Sequence, residues 1–491
     1  GNETADGTSD GSVGMPQWDD NWGNPENAPA FSRRYVGTSG DYFDMSAGKG
    51  KDTPRYYMYD SLVNETNAKR VNGGKAIVVT LDTDVTGALA VGGSIKNKNA
   101  VAADHEVWID DRSGIKHLIG GLDNQDCVKT DAYQYAATHI LVNSHRDEND
   151  PNDDLWYTWE KEFIIAGSRW CNQNAESFVT VKEGEIYNIF GGSCGATYEK
   201  WRELKDEDGN TLLDEWGNPV YIENWGKTVY DESGKPIYVT QKGTSHIFVE
   251  GGKIGEIFAA GFHADLEGTQ MVNGRARAVE MVLTGGTLGG TELRIFGGSD
   301  HSTVTGDIYV RMEGDAKILS RLVGGSNAGT VNGNITLDLI SGTAFRVDAA
   351  GLGWEWEENG KLVTDHAYVK GEVKVNLYSA FQLGTGYESG LPSGIYGGME
   401  TDNYIDLMEN CYSTLHFAEG ATYALGMLKD DNYTASENSI IVTGFDRITL
   451  AEKAHAKLAL GYFDIDMPTG KPLYISGKGV VEVIGNGENF N

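Results

Sequence analysis

Features that mark membrane-spanning and nucleic-acid-binding proteins are missing from this chain of 491 residues. No apolar run reaches the 18 residues that a membrane-spanning helix needs, so we expect no transmembrane segment. Basic residues are few, with 40 Lys and Arg against 72 Asp and Glu, and no basic block offsets the formal net charge of −32. Because nucleic acids and anionic membrane surfaces attract basic proteins, we expect neither as a partner.

Cysteine and proline are also scarce, at 4 and 10 residues. The cysteines show no CxxC or other zinc-like spacing, which argues against a metal–thiolate site. So few prolines exclude collagen and Pro-rich disordered chains. Glycine, by contrast, is abundant at 65 residues, and this favours frequent tight turns between short elements.

A short pattern recurs along the chain, in which two larger residues, mostly branched or aromatic, precede two small ones; we call the small pair a corner. The copies are AVGG (90–93), LIGG (118–121), IFGG (189–192), IFAA (257–260), IFGG (295–298), LVGG (322–325), VDAA (347–350) and IYGG (395–398). Their first small residues are 92, 120, 191, 259, 297, 324, 349 and 397, so successive copies are 28, 71, 68, 38, 27, 25 and 48 residues apart. Three spacings of 25 to 28 are typical of stacked repeats, and we interpret the longer ones as the same unit with an insertion or a degenerate copy.

Strict alternation of apolar and polar residues accompanies the corners. Three segments show it after a turn glycine: Gly306–Met312, Gly333–Leu339 and Gly371–Leu377. A period of two predicts a strand with one buried face, and a unit of about 27 residues must stack on copies of itself to cover that face. We therefore predict an all-β fold, a right-handed parallel β-helix with rungs of about 25–28 residues and inserted β-hairpin arms.

The stretch Gly191–Gly195 matches G-x-S-x-G, the nucleophile elbow of many hydrolases, which would make Ser193 a catalytic nucleophile. However, Gly-Gly-Ser also occurs at 92–94, 297–299 and 324–326 without that motif. A serine that recurs with the corners is a turn residue of the repeat. We therefore expect no catalytic role for Ser193.

The repeat divides the chain into four segments. We expect a flexible linker over 1–30, an N-terminal capping region over 31–85, the β-helix over 86–400, and C-terminal rungs with a cap over 401–491. Insertions are predicted at about 123–180, 200–240 and 354–366. The second has turn signals at 208–209, 217–218, 226–227 and 233–234, and the third has a hairpin turn at Asn359-Gly360.

Tryptophan concentrates in these inserted stretches, which hold eight of the eleven in the chain. One interpretation is that the tryptophans pack the arms against the β-helix, and the other is that they form a platform on which sugars stack. The candidate ligand-binding tryptophans are Trp201, Trp216, Trp225, Trp354 and Trp356.

Arginine occupies the same position before three corners, at Arg294, Arg321 and Arg346. Stacked guanidinium groups repel one another unless carboxylates lie between them or an anionic ligand bridges them. The second alternative makes the column a groove for an acidic polysaccharide or the basic half of a β-elimination site. The first draws on carboxylates in neighbouring columns, at Asp307, Glu313, Asp338 and Glu372. Equivalent positions near other corners hold His117, Asn188, Glu256 and Gly394, so the arginine column is not continuous.

An acidic loop and a cysteine pair complete the candidate sites. The loop offers oxygen ligands for Ca²⁺, the one cofactor we consider, at Asp147, Asp150, Asp153 and Asp154. The other interpretation is an incidental solvated loop, and no complete EF-hand is present. Cys171 and Cys194 are 23 residues apart, close to one repeat, so a disulfide and a buried pair of thiols are both open.

The corners and alternating segments resemble those of extracellular bacterial β-helix proteins, the group of pectate-lyase-like enzymes and adhesin-like surface proteins, over about residues 86–400. The resemblance implies architecture rather than activity, because the clustered Asp/Glu and Lys/Arg with which the enzymes catalyse cannot be matched here residue by residue. The polar opening segment is typical of a tether to a cell surface, so we expect an extracellular or cell-surface location.

These observations favour a non-catalytic, adhesin-like surface or secreted protein whose aromatic arms bind a glycan or a host protein. Two alternatives stay open. One is a polysaccharide lyase or glycoside hydrolase with a cleft along the β-helix. The other is a self-assembling surface-layer or filament subunit.

Overall fold

The computed structural model describes residues 31–35, 55–59, 76–81, 86–91, 106–112, 114–123, 133–134, 137–144, 159–195, 197–203, 221–227, 239–290, 293–358, 361–384, 393–398, 405–407, 412–425, 439–440, 442–460 and 474–485. Regular structure within these ranges consists of 41 strands without any helix. The described residues accordingly hold no helix of the length and hydrophobicity needed to cross a membrane.

The strands, in chain order, are β1 (Phe31–Tyr35), β2 (Arg55–Tyr59), β3 (Ala76–Leu81), β4 (Thr86–Val91), β5 (Glu106–Asp111), β6 (Gly114–Ile119), β7 (Tyr133–Gln134), β8 (Thr138–Asn143), β9 (Lys161–Ile165), β10 (Asn172–Gln173), β11 (Ser177–Glu183), β12 (Glu185–Phe190), β13 (Thr197–Glu203), β14 (Tyr221–Lys227), β15 (Val239–Lys242), β16 (Ser245–Val249), β17 (Lys253–Phe258), β18 (Ala264–Glu267), β19 (Gln270–Val272), β20 (Arg275–Leu283), β21 (Thr287–Leu288), β22 (Ile295–Phe296), β23 (Val304–Thr305), β24 (Asp307–Met312), β25 (Lys317–Val323), β26 (Thr330–Asn332), β27 (Ile335–Asp348), β28 (Trp354–Glu358), β29 (Lys361–Asp365), β30 (Ala367–Val369), β31 (Val373–Leu383), β32 (Gly394–Tyr396), β33 (Ile405–Leu407), β34 (Ser413–Phe417), β35 (Thr422–Leu425), β36 (Ser439–Ile440), β37 (Val442–Thr443), β38 (Arg447–Leu450), β39 (His455–Leu460), β40 (Tyr474–Gly477) and β41 (Val480–Gly485).

Most strands belong to three series of parallel neighbours. The first series runs β3, β5, β8, β11, β16, β20, β24, β27, β31, β34, β38 and β40. The second runs β4, β6, β9, β12, β17, then β21 and β22 side by side, then β25, β27, β32 and β37. The third is the eight-stranded sheet β7, β10, β15, β18, β23, β26, β30 and β33. The predicted all-β fold with parallel strands is thus confirmed at the level of long parallel sheets.

Antiparallel pairs occur at the margins of this arrangement. At the N-terminal end, β1 pairs with β2 and β2 pairs with β3, both antiparallel. The pairs β13–β14 and β28–β29 form two-stranded sheets of their own. Gly226 and Lys227, a predicted turn, lie instead inside β14, where Lys227 pairs with Thr197. Glycine accepts the extended backbone of a strand as readily as a turn, so its presence alone did not fix a turn there.

The core is a set of apolar columns that run from strand to strand. One column of the first series follows Ile140, Val179, Ile247, Met281, Val310, Leu337, Val375, Leu415 and Ile448, each paired with the next. None of these side chains is more than 2% exposed. The predicted alternation is visible in β24, where Ile308, Val310 and Met312 are buried and their neighbours are half-buried. Stacking of like side chains on paired strands buries the apolar face along the whole series.

The corners consist of small residues because they stack in backbone contact. A Cβ placed on Gly192 would clash with the carbonyl oxygen of Ala260, which belongs to the corner of the next strand in the series. The backbone N–H of Gly191 donates to the carbonyl of Phe258 at 2.9 Å, in continuation of the β12–β17 ladder. A further corner at Ala166-Gly167 was missed in the sequence, and it divides the spacing of 71 residues into 46 and 25.

Candidate functional site

The three predicted arginines lie in one column, as their position before the corners indicates. Arg321 pairs with Arg346, and the pairing of Ile295 with Leu322 places Arg294 beside Arg321. Burial increases along the column, from the half-buried Arg294 to Arg321 at 6% and Arg346 at 1% exposure. An extended anionic ligand therefore has no access to the last of these guanidinium groups.

A buried carboxylate on the same strand partners the arginines. Nε and Nη2 of Arg346 donate to Asp348 Oδ1 at 2.9 and 2.8 Å, and Arg321 Nη1 lies 3.7 Å from Asp348 Oδ2. The Arg346 guanidinium also lies over the Tyr396 ring, with Cζ 3.6 Å from the ring centre. These contacts favour the interpretation that carboxylates compensate the column, in place of a bridging anion.

Asp348, the carboxylate that compensates the arginine charges, was not among the carboxylates that the sequence suggested. Asp307 instead accepts from Arg275 at 2.8 Å, Glu313 from Arg311 at 2.6 Å, and Asp338 from the hydroxyl of Tyr309 at 2.7 Å. The sequence did hold a signal for Asp348. Asp348 is the second residue of the corner copy VDAA, and the other copies have an apolar residue at that position. A carboxylate at a core position needs a cationic partner, and Arg346 is two residues away on the same face.

The predicted tryptophans lie on the two separate hairpins where the structure describes them. Trp201 pairs with Glu223 and Trp225 with Glu199 in β13–β14. Trp354 pairs with Asp365 and Trp356 with Val363 in β28–β29. Trp216 lies outside the described residues, and so do the predicted calcium ligands Asp147, Asp150, Asp153 and Asp154.

Ser193 is a buried structural serine. Its hydroxyl donates to Gln241 Oε1 at 3.1 Å and accepts the backbone N–H of Ser168 at 3.2 Å. The side chain has no measurable exposure, so a substrate cannot reach it in this conformation. Cys171 and Cys194, whose redox state the sequence left open, are buried thiols that are not joined in a disulfide.

Both hairpins leave the parallel sheets directly after a corner. β13 starts at Thr197, after the corner at Gly191-Gly192, and β28 starts at Trp354, after the corner at Ala349-Ala350. In the chain, each hairpin lies between a strand of the second series and one of the third. The two hairpins therefore emerge from the same edge of the fold.

The residues two positions after each corner form a column along this edge, which we call the corner line. It consists of Asp123, Arg169, Cys194, Phe262, Asp300, Asn327 and Leu352. Near one end, Arg169 donates from Nε and Nη2 to the two carboxylate oxygens of Asp123, at 2.7 and 2.6 Å. Between the two hairpins, the corner line passes Phe262, Asp300 and Asn327.

A compact cluster of two imidazoles and a carboxylate lies on this part of the corner line. The corners at Ala259 and Gly297 are bridged through Gly261 and Ser299, so the following residues His263 and His301 are stacked neighbours. Their ring centres are 5.2 Å apart with planes inclined by 9°. Asp300 Oδ2 lies 2.5 Å from His301 Nδ1 and 3.8 Å from His263 Nε2.

The surroundings hold Asp300 in its charged form. Burial raises the pKa of this carboxyl, but the charges of His301 and His263 and the hydrogen bonds from His301 and Asn327 outweigh burial and hold the pKa below its usual value. Asn327 Nδ2 donates to Oδ1 at 2.8 Å, which leaves Oδ2 for the histidines. The side chain of Asp300 is 4% exposed, that of His263 14% and that of His301 26%, so the cluster opens to solvent on the His301 side.

Sequence reasoning missed this cluster although a signal existed. The segments AAGFH (259–263) and GGSDH (297–301) are two corner copies with histidine at the same position. Alignment of the copies beyond the small pair would have placed His263 and His301 in one column.

Comparison of the chain with known protein families, with curated proteins and with solved structures found no match.

Proposed function

We propose that the chain is a right-handed parallel β-helix whose two hairpins bind a glycan or a host protein at a cell surface, without catalysis. The order of the strands supports the β-helix: from β5 to β33 the chain moves repeatedly from the first series to the second and then to the third. A right-handed coil is the hand that connections between parallel strands take in nearly all proteins. Each passage through the three series would be one rung.

The observation that carries the binding function is the common origin of the two hairpins. Four steps along the corner line separate the turn at Cys194, which precedes β13, from the turn at Leu352, which precedes β28. At ~4.8 Å for each step between paired strands, the hairpins emerge about 19 Å apart. Two tryptophan-bearing elements at that separation suit an extended ligand that contacts both.

The buried arginines support a binding function over the lyase alternative. A β-elimination site needs a cation that a substrate carboxylate can reach. Arg346 and Arg321 are at most 6% exposed, and Asp348 already contacts both. Arg321 and Arg346 therefore supply no Arg/Asp pair that a substrate can reach, and the hairpins are the better candidates for ligand contact.

A glycan and host-protein binding screen with the whole chain tests the proposal. We expect at least one ligand to bind without release of reducing or unsaturated sugar ends. The double variants Trp201→Ala/Trp225→Ala and Trp354→Ala/Trp356→Ala should each raise its Kd more than about ten-fold, since buried tryptophans dominate such contacts. Met271→Ala serves as the matched control, because Met271 is an apolar residue 65% exposed on the antiparallel strand β19.

Two results would contradict the proposal. Binding that neither hairpin variant weakens would move the site away from the arms. Turnover of a polysaccharide would replace the binding function with the hydrolase or lyase alternative.

A further inference from the structure

We propose that His263, Asp300 and His301 form a binding site for a first-row transition metal dication such as Zn²⁺ or Co²⁺. Asp300 lies on the corner line between the two hairpins, and each histidine directly follows a residue of that line. The metal site does not depend on the proposed glycan or protein binding. The same three ligands would hold a structural or a catalytic metal.

The geometry of the donor atoms suits one ion. One donor nitrogen from each histidine and one oxygen of Asp300 all lie within 4.8 Å of one another. In a tetrahedral site with bonds of about 2.0–2.1 Å, ligand atoms are separated by about 3.3 Å. The distance of 3.8 Å from His263 Nε2 to Asp300 Oδ2 is near this value, and that of 2.5 Å from His301 Nδ1 has to widen. We expect rotation of the two histidine side chains to make both changes when an ion binds.

The donor types select the class of metal. Two imidazoles with one carboxylate match zinc and its transition-metal neighbours, whereas Ca²⁺ and Mg²⁺ prefer sites made of oxygen. Three protein ligands leave a fourth position for water or an exogenous ligand. The half-exposed His301, at 26%, marks the side on which that position is open.

The surroundings preorganise the ligands. Asn327 donates to Asp300 Oδ1 at 2.8 Å, whereas both histidines contact Oδ2, so the amide holds the carboxylate with Oδ2 towards the histidines. The backbone N–H of Ala328 donates to the carbonyl of Asp300 at 2.8 Å, and the ring of Phe262 contacts the His263 ring edge-on at 4.6 Å. Outer contacts of this kind orient metal ligands and strengthen binding.

The backbone at His263 belongs to the turn that follows the corner. His263 has φ of +47°, and Trp170, which holds the same position after the corner at Ala166-Gly167, has φ of +68°. The left-handed conformation is therefore a feature of this turn. It is compatible with the stacking of His263 on His301, whose ring centres are 5.2 Å apart.

Metal titration of the full chain tests the proposal. After treatment with a chelator, the protein is titrated with Co²⁺ and with Zn²⁺ in the presence of excess Mg²⁺, which occupies weak carboxylate sites on this acidic chain. We expect one equivalent of Co²⁺ to bind and to show the visible absorption bands of a Co²⁺ ion with a low coordination number. We also expect one equivalent of Zn²⁺ to displace it and to raise the Tm.

The variants His263→Asn and His301→Asn identify the ligands. Asparagine accepts the left-handed backbone at 263, so the first variant should fold, and circular dichroism verifies this for both. Each should raise the Kd for Zn²⁺ more than about ten-fold and abolish the Co²⁺ bands. His416→Asn is the matched control, because His416 is a half-buried histidine far along the chain that contacts Thr449.

Two outcomes would overturn the proposal. One is a wild-type chain that binds no stoichiometric Co²⁺ or Zn²⁺, in which case the cluster is only an internal hydrogen-bonded ion pair. The other is one-equivalent binding that persists unchanged in folded His263→Asn and His301→Asn variants, which would assign the ion to other residues.

Discussion

Arg346 and Asp348 lie two residues apart on β27 and form an ion pair whose side chains are at most 2% exposed. The pair is bidentate, with hydrogen bonds of 2.8 to 3.0 Å, and the Tyr396 ring covers the guanidinium. Removal of one partner from such a pair leaves an uncompensated charge in the interior.

Asp348→Ala should lower the free energy of unfolding by about 3–5 kcal/mol, because it leaves Arg346 and Arg321 without their common carboxylate. Guanidinium-induced unfolding of the purified chain measures this. The matched control is Glu419→Ala, which breaks the ion pair with Lys453, where both side chains are more than half exposed at 66% and 72%. That change should cost less than about 1 kcal/mol. Equal stability of the two variants would show that the arginine column is compensated in another way.

Ser193→Ala should lower the free energy of unfolding by about 1–3 kcal/mol and leave the reactivity of the protein towards serine-directed probes unchanged. The substitution leaves the backbone N–H of Ser168 and the amide oxygen of Gln241 without their shared hydroxyl in a buried position. Thermal unfolding measures the loss of stability. A fluorophosphonate probe that labels activated serines should label neither protein, and labelling of the wild type that disappears in the variant would restore Ser193 as a nucleophile.

Gly192→Ala tests whether the corners need small residues because of stacking. Its added methyl group meets the carbonyl oxygen of Ala260, so the backbones of two neighbouring corners must separate, at a cost of about 1–3 kcal/mol. Gly290→Ala is the control, since its nearest new contact is Leu293 Cδ1 at an ordinary 3.8 Å. Chemical denaturation should show a loss for the first variant alone. Tolerance of both changes would contradict close stacking at the corners.

His416 predicts a pH dependence of stability. Burial and the positive charge of Lys374 hold the pKa of His416 below its ordinary value of 6.5. The unfolded chain therefore binds a proton at this position more readily than the folded chain, so the contribution of His416 to stability is lost as the pH falls through 6.5. His416→Asn should show a smaller decrease in Tm between about pH 8 and pH 5 than the wild type. Parallel Tm curves for the two proteins would contradict the assignment.

Much of the fold could be predicted from the sequence because its signals are local. The alternation of Ile308, Val310 and Met312 predicts a strand with a buried face wherever that strand pairs. The recurring corners likewise indicate stacked units, and Arg321 and Arg346 are neighbours because they hold the same position in adjacent copies. The turn signal at Gly226-Lys227 was wrong because a single glycine is compatible with both a turn and a strand.

The sequence by itself determined that strands alternate, that small residues recur at corners and that the three arginines share a column, since each depends on a position within one repeat. Only the tertiary structure decided which side chains from different strands meet. The paired residues Gly261 and Ser299 are 38 positions apart in the sequence, whereas the neighbours Ser299 and Ser326 are 27 positions apart. Alignment of the corner copies places His263 and His301 in one column, but only the tertiary structure brings Asp300 Oδ2 within 3.8 Å of both imidazoles, because the distances between side-chain atoms depend on how the paired strands pack.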